Sequence, residues 1–217
     1  DSLTNAELSQ LDAFLADGHG LFVATDRVES KLQQQQLMSQ STALEDWLEG
    51  KGFTIPNESL IDAECGAITV RQQVQGRPIR RRINFPYFPI VKQFEEHPIT
   101  TGLGQLFLPF TSPLELTDTA GNPSYKVLAT SSGTSGTQGL PARIQVSKQW
   151  TEQDFPQPKI PIAASVEGQL GSNPTAPARM VVVSSGNLIP DAGENTQGRR
   201  QGNNVREGNA DFLANSI

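Results

Sequence analysis

Two side chains in this sequence have the chemistry for covalent catalysis as a pair, Cys65 as nucleophile and His97 as base. A reactive cysteine must be a thiolate, and a helix N-terminus or a neighbouring imidazolium is what lowers its pKa. Glu64-Cys65-Gly66-Ala67 instead leads from one strand-like stretch into another, and His97 sits before a proline. The pair is therefore expected not to form a catalytic centre. Metal binding lacks donors, because His19 and His97 are the only histidines, neither has an i, i+4 helical partner, and one cysteine rules out CxxC. Ser184-Ser185-Gly186 has Val182 where a serine-hydrolase elbow needs glycine, and no histidine follows His97. The Gly/Ser/Thr run 131–139 lacks the phosphate-loop lysine and leads to Pro141 instead of a helix, so it reads as a flexible loop. No catalytic residue, metal or cofactor is expected.

Two candidate binding surfaces remain. Asp26, Thr130, Ser184, Ser185 and Asn187 follow strand-like runs, where an open α/β sheet would meet a small molecule or glycan. The segment Asn84-Phe85-Pro86-Tyr87-Phe88-Pro89-Ile90, with His97 close behind, holds three aromatics in an extended run that must pack under a sheet edge or face a partner. A net charge of −6 and a pI near 5.0 argue against a general affinity for nucleic acid or anionic membrane, while leaving room for a local basic patch. Arg77, Arg80, Arg81 and Arg82 form that cluster; without interleaved aromatics it reads as an exposed strand face balancing an acidic chain. The single Cys65 makes no internal disulfide and leaves the redox compartment open. There is no 18-residue apolar run and no signal peptide, and the abrupt start and stop suggest a piece of a longer, anchored protein.

The elements that would position these residues begin with a helix from Thr4, whose apolar face is Leu8, Leu11, Phe14 and Leu15, capped by Thr4 or Asn5 and stopped by Gly18. Leu21 to Thr25 is a short buried strand. The polar tract 27–40 has no apolar period and reads as a solvated loop. Ser41 or Thr42 caps a helix carrying Leu44, Trp47 and Leu48. Residues 66–90 read as a peripheral antiparallel excursion turning at Gly76, and strands follow at Leu106 to Phe110, Tyr125 to Thr130 and Ile160 to Val166. Arg179 to Val183 reads as a centre strand covered on both faces, which points to a mostly parallel sheet with crossover helices. The loop 191–208 is polar, and Asn209 would cap a terminal helix bearing Phe212, Leu213 and Ile217. The chain as a whole, 1–217, reads as one α/β domain.

Several of these stretches occur in an order that resembles a known family. They are Leu11 to Val23, Trp47-Leu48-Glu49-Gly50-Lys51-Gly52-Phe53, Asn84 to Pro89, His97-Pro98-Ile99-Thr100, Arg179 to Val183 and Gly208 to Asn215. The ordered set is similar to the extracytoplasmic part of the gliding-motility-type auxiliary proteins of ABC transporters, the GldG-like family. Two departures stand out: Asn187 follows the glycine where an acidic residue is expected, and the loop after Asp191 carries a polar insertion. The resemblance implies an α/β fold, a mostly parallel sheet flanked by helices similar to class I glutamine amidotransferase-like (flavodoxin-like) folds, without their catalytic set. It implies a non-enzymatic auxiliary domain on the periplasmic side of the inner membrane, anchored by helices outside this segment. Its partners would be an ABC permease and ATPase, in gliding or cell-surface export; no nucleic acid is expected. The alternative is a periplasmic small-molecule or glycan-binding module that uses the strand-end loops.

Overall fold

The computed structural model describes residues 2–74, 77–117, 123–188 and 203–216, with side chains described except at 74 and 203–207. Thr4 caps α1 (Asn5–Ala16): its hydroxyl accepts from the Glu7 amide while the Glu7 carboxylate accepts from the Thr4 amide, which satisfies donors the helix leaves free. Gly18, at φ +87°, turns the chain into β1 (Gly20–Ala24). There follow the hairpin β2 (Val28–Lys31) and β3 (Gln36–Ser39), α2 (Leu44–Glu49), β4 (Phe53–Thr54) and β5 (Glu58–Asp62). The two longest strands are next, β6 (Cys65–Val74) and β7 (Arg77–Val91), and then β8 (Gln93–Phe94), β9 (Leu106–Phe107) and β10 (Glu115–Leu116). The second half holds β11 (Ser124–Thr130), β12 (Ser135–Gly139), β13 (Ala142–Arg143), β14 (Pro161–Gly168), β15 (Ala178–Val183) and α3 (Asn203–Ser216).

The main sheet has the order β1-β15-β14-β11-β8, and only β1 and β15 run parallel. β14 is antiparallel to both β15 and β11, and β8 is antiparallel to β11. The expected mostly parallel, flavodoxin-like α/β fold is therefore overturned: the molecule is a set of small, mainly antiparallel sheets around one mixed sheet. The centre-strand reading of β15 itself is correct in its burial. Met180 and Val182 enter the core beneath α1 and α2, while Val181 and Val183 enter the core shared with Phe212 of α3. A strand covered on both faces carries the same apolar run whichever way its neighbours point. Direction was decided by the connection, since residues 169–177 are too few for a helical crossover between β14 and β15.

Three further expectations change. The tract 27–40 is the hairpin β2–β3, anchored by Val28 and Leu37, both buried, with Gln35 at φ +52° in its turn. The two anchors sit on different strands, Val28 opposite Ser39 and Leu37 opposite Ser30, so no period along the chain reveals them. Residues 131–139 are not a flexible loop, because β12 pairs with β5 over its whole length. Of the loop 191–208, residues 191–202 lie outside the described residues and 203–208 are already helical, so Asn209 is inside α3 and not at its cap.

β7 runs straight through Pro86 and Pro89 by bulging. Asn84 faces Ala67 and Pro89 faces Cys65, which leaves 85–88 opposite Gly66 alone. Residues in such a bulge owe no bond to the ladder, so Pro86 costs nothing there. Phe85 and Tyr87 turn inward to a third core with Phe110, Ile144 and Phe155.

Candidate functional site

The end of the main sheet gathers the predicted strand-end residues. Val183 faces both Ala24 and Ala163, and Thr130 faces Pro161, so the ends of β1, β15 and β11 meet the start of β14. Asp26, Ser184, Ser185 and Asn187 come together there, but their polar atoms are turned on one another. One Asp26 oxygen accepts from the Gly186 amide at 2.7 Å and the other from Asn187 Nδ2 at 3.2 Å. Burial pushes the Asp26 pKa up, and these donors oppose the rise. Ser184 Oγ donates to the Ser112 carbonyl at 2.6 Å, and Thr111 Oγ1 donates to the Ser184 carbonyl at 2.7 Å. Thr130 and Ser185 are buried. Among the described residues Ser185 Oγ and Ser112 Oγ have no hydrogen-bond partner, yet both residues are fully enclosed. The cluster joins strand ends to the 111–114 segment, with Ser184 and Ser185 enclosed and Gly186 and Asn187 exposed beside a half-buried Asp26.

Beside it lies a polar network that the sequence reading passed over. Asp62, fully buried, accepts from the Ser132 amide at 2.8 Å, the Ser132 hydroxyl at 2.6 Å and the Glu64 amide at 2.8 Å. Burial raises its pKa against those three donors. Ser131 and Ser135 hydroxyls meet at 2.6 Å and extend the network to the Gln157 carbonyl and Ile160 amide. An acidic residue closing an apolar strand, followed much later by a serine-rich run, was the available signal. Together these groups pin β12 and the 157–160 segment to β5.

Cys65 and His97 are held in different surroundings. Cys65 opens β6 beside Asn84 and Trp150; burial, and to a lesser degree the Asp62 charge, push its thiol up to about 11 against one backbone donor, so it is uncharged at neutral pH. His97 starts the short turn Pro98–Thr100 and its Nδ1 accepts from the Ile99 amide at 3.2 Å, which puts the neutral ring's proton on Nε2. Burial and the Lys126 and Arg179 charges lower its pKa, with Glu167 opposing. The turn is a dock for α3: Asn215 Nδ2 donates to the Ile99 carbonyl at 3.0 Å, and Asn209 bridges Phe107 and Leu188.

Of the predicted partner-facing aromatics, Phe85 and Tyr87 are 3% and 0% exposed and present no surface; Phe88 is partly buried against Phe85, Phe107 and Phe110. The open surface lies beyond them. A groove of about 480 Å³ at the root of β6 and β7 is lined by Cys65, Arg81, Arg82, Asn84, Lys148 and Trp150. Lys148 lies 4.3 Å from the Trp150 ring centre and pairs with Asp154 at 2.6 Å. The outer halves of β6 and β7 carry the arginine cluster, with Arg77, Arg80, Arg81 and Arg82 exposed as expected and Arg71 exposed beside them.

Among the described residues, no three His, Cys, Asp or Glu side chains are grouped to hold a metal, and no helix is long and apolar enough to cross a membrane. No curated protein and no solved structure matches the chain. A family model described as an ABC-type uncharacterized transport system matches residues 1–216, and the chain therefore belongs to that family, as an auxiliary component of an ABC-type transport system.

Proposed function

We propose that the chain is a non-enzymatic interaction domain of an ABC transport complex of the gliding-motility or cell-surface-export type, held on the periplasmic face of the inner membrane beside its permease and ATPase. The observation that carries this reading is the family match over residues 1–216. The geometry is in keeping with it. The polar groups that chemistry would recruit, Asp26, Asp62, Ser131, Ser135, Ser184 and His97, are engaged in holding segments of the fold together. Cys65 stays a thiol. Among the described residues, exposed arginines outside any ion pair stand together on the β6–β7 ribbon, above the groove at its root.

The test is capture from envelope extracts with the chain as bait. Retention of an ABC permease together with its ATPase, unchanged in Cys65→Ser, is the expected result. Failure to retain either subunit, or loss of a chemical activity of the complex on Cys65→Ser alone, overturns the reading.

A further inference from the structure

The outer part of the β6–β7 ribbon is charged in a way the fold does not use. Between residues 67 and 84 the sequence has five arginines and no acidic residue; setting those charges aside leaves the rest of the chain at −11. Arg71 stands directly opposite Arg80, and Arg82 opposite Thr69, so the first three share one face. Residues opposed in an antiparallel pair sit about 5 Å apart at Cβ, and like charges at that distance repel. Among the described residues none of these five arginines is in an ion pair, although acidic side chains are plentiful elsewhere. Arg77 and Arg81 occupy the other face, interleaved with Ile68, Val70, Ile79 and Ile83. Arg71, Arg77, Arg80, Arg81, Arg82 and Ile79 are exposed, the last at 42%. A two-stranded ribbon with both faces wet gains little from its own packing, so a stable arm would be better served by mixed charges.

We infer that this ribbon docks on an anionic lipid bilayer, settling its arginines among headgroup phosphates. The charge distribution favours a bilayer over other anions. Cations stand on both faces, and the Arg77 and Arg81 face also carries Ile68, Val70, Ile79 and Ile83, which suits a penetrable layer about 5–7 Å deep, phosphate-rich above and apolar below. A folded protein partner would meet one face. A single-stranded nucleic acid would want stacking aromatics, and the outer ribbon has none. The acidic remainder of the chain is repelled by the same surface, so contact would be confined to the arm and leave the body standing off the membrane. Membership in a transport family places a bilayer within reach; the inference is otherwise independent of the proposed partners, because it is read with protein and lipid alone.

The experiment is sedimentation of the whole chain with vesicles of phosphatidylcholine alone and of phosphatidylcholine with phosphatidylglycerol at about three to one. The chain is expected to pellet with the anionic vesicles only, and to be released as salt rises from about 0.1 M to about 1 M, where the Debye length shrinks from about 10 Å to about 3 Å. The triple variant Arg71→Gln, Arg80→Gln, Arg82→Gln should bind roughly 100-fold more weakly, with an unchanged thermal transition. The matching triple lysine variant should retain binding. Equal binding to both vesicle types, no binding to either, or unaltered binding by the glutamine variant overturns the inference. So does tighter retention on duplex DNA or on an acidic peptide than on anionic vesicles at the same salt.

Discussion

At the scale of single residues, buried ionisable groups here are fixed by backbone donors more than by counter-charges. Asp62 uses both carboxylate oxygens to accept from the Ser132 amide and hydroxyl and from the Glu64 amide. Asp62→Asn presents one oxygen and one NH₂, so a buried amide donor loses its acceptor. The expected cost is about 1–3 kcal/mol, measured by urea denaturation. Cys65 makes a kinetic prediction instead. With a pKa near 11, its alkylation by iodoacetamide should be slow at neutral pH and rise about tenfold per pH unit through the alkaline range, with no plateau below about pH 10. A plateau near neutrality would mean a stabilised thiolate and would return the nucleophile reading to consideration. Asp12 shows the opposite balance. Burial raises its pKa, but the Lys51 ammonium at 2.5 Å and the Ser172 and Trp47 donors outweigh that and hold it below the usual value.

At the scale of elements, β7 changes role along its length. Its first half is wet on both faces; its second half dips at the bulge and becomes the wall of the third core, where Phe85 meets Tyr87, Phe88 and Phe110 edge-on or tilted. Phe85→Ala should cost about 3–5 kcal/mol in denaturant unfolding, because the bulge geometry prevents collapse into the space left. Tyr87 also hydrogen-bonds Gln138 at 3.0 Å and so ties β7 to β12. The terminal helix α3 depends on two asparagines. Asn209, 5% exposed, accepts from the Phe107 amide and donates to the Phe107 and Leu188 carbonyls. Asn209→Ala leaves three backbone groups unmet and is expected to raise amide exchange across 203–216 more than in β14 or β15. Uniform exchange increases would show that α3 does not open as a unit.

For the whole molecule, the main sheet is the organiser, with α1 and α2 on one face, α3 and β9 on the other, and a third core built off its edge. Its open end is closed by the Asp26 cluster, whose pKa is raised by burial. The folded state therefore holds a proton more tightly than the unfolded chain just above the ordinary aspartate value, and stability contributed by this group falls as pH rises through that window. The cost of Asp26→Asn should accordingly be larger at about pH 4 than at about pH 7, as read from urea titrations. A cost that grows toward neutral pH would show that the carboxylate is stabilised in place. The division of charge, a cationic arm on an acidic body, belongs to this scale as well.

The elements with local causes were legible without coordinates. The Thr4 cap and Gly18 stop of α1, the double burial of Met180 to Val183, the exposure of the arginine cluster and the antiparallel pairing within 66–90 each follow from neighbours along the chain. The family resemblance was carried by short ordered motifs, and structure explains some of them as docking devices, such as His97-Pro98-Ile99-Thr100 beneath Asn215. Strand direction was not legible, because a doubly buried strand reads alike in parallel and antiparallel company and only the nine-residue link 169–177 settles it. Nor was the Asp62 network, whose members are some 70 residues apart. Local pattern determined α1, the apolar run of β15 and the charged ribbon, because their causes lie along the chain; only tertiary contact decided the pairing of 27–40 and 131–139 and which polar groups are consumed in holding the fold.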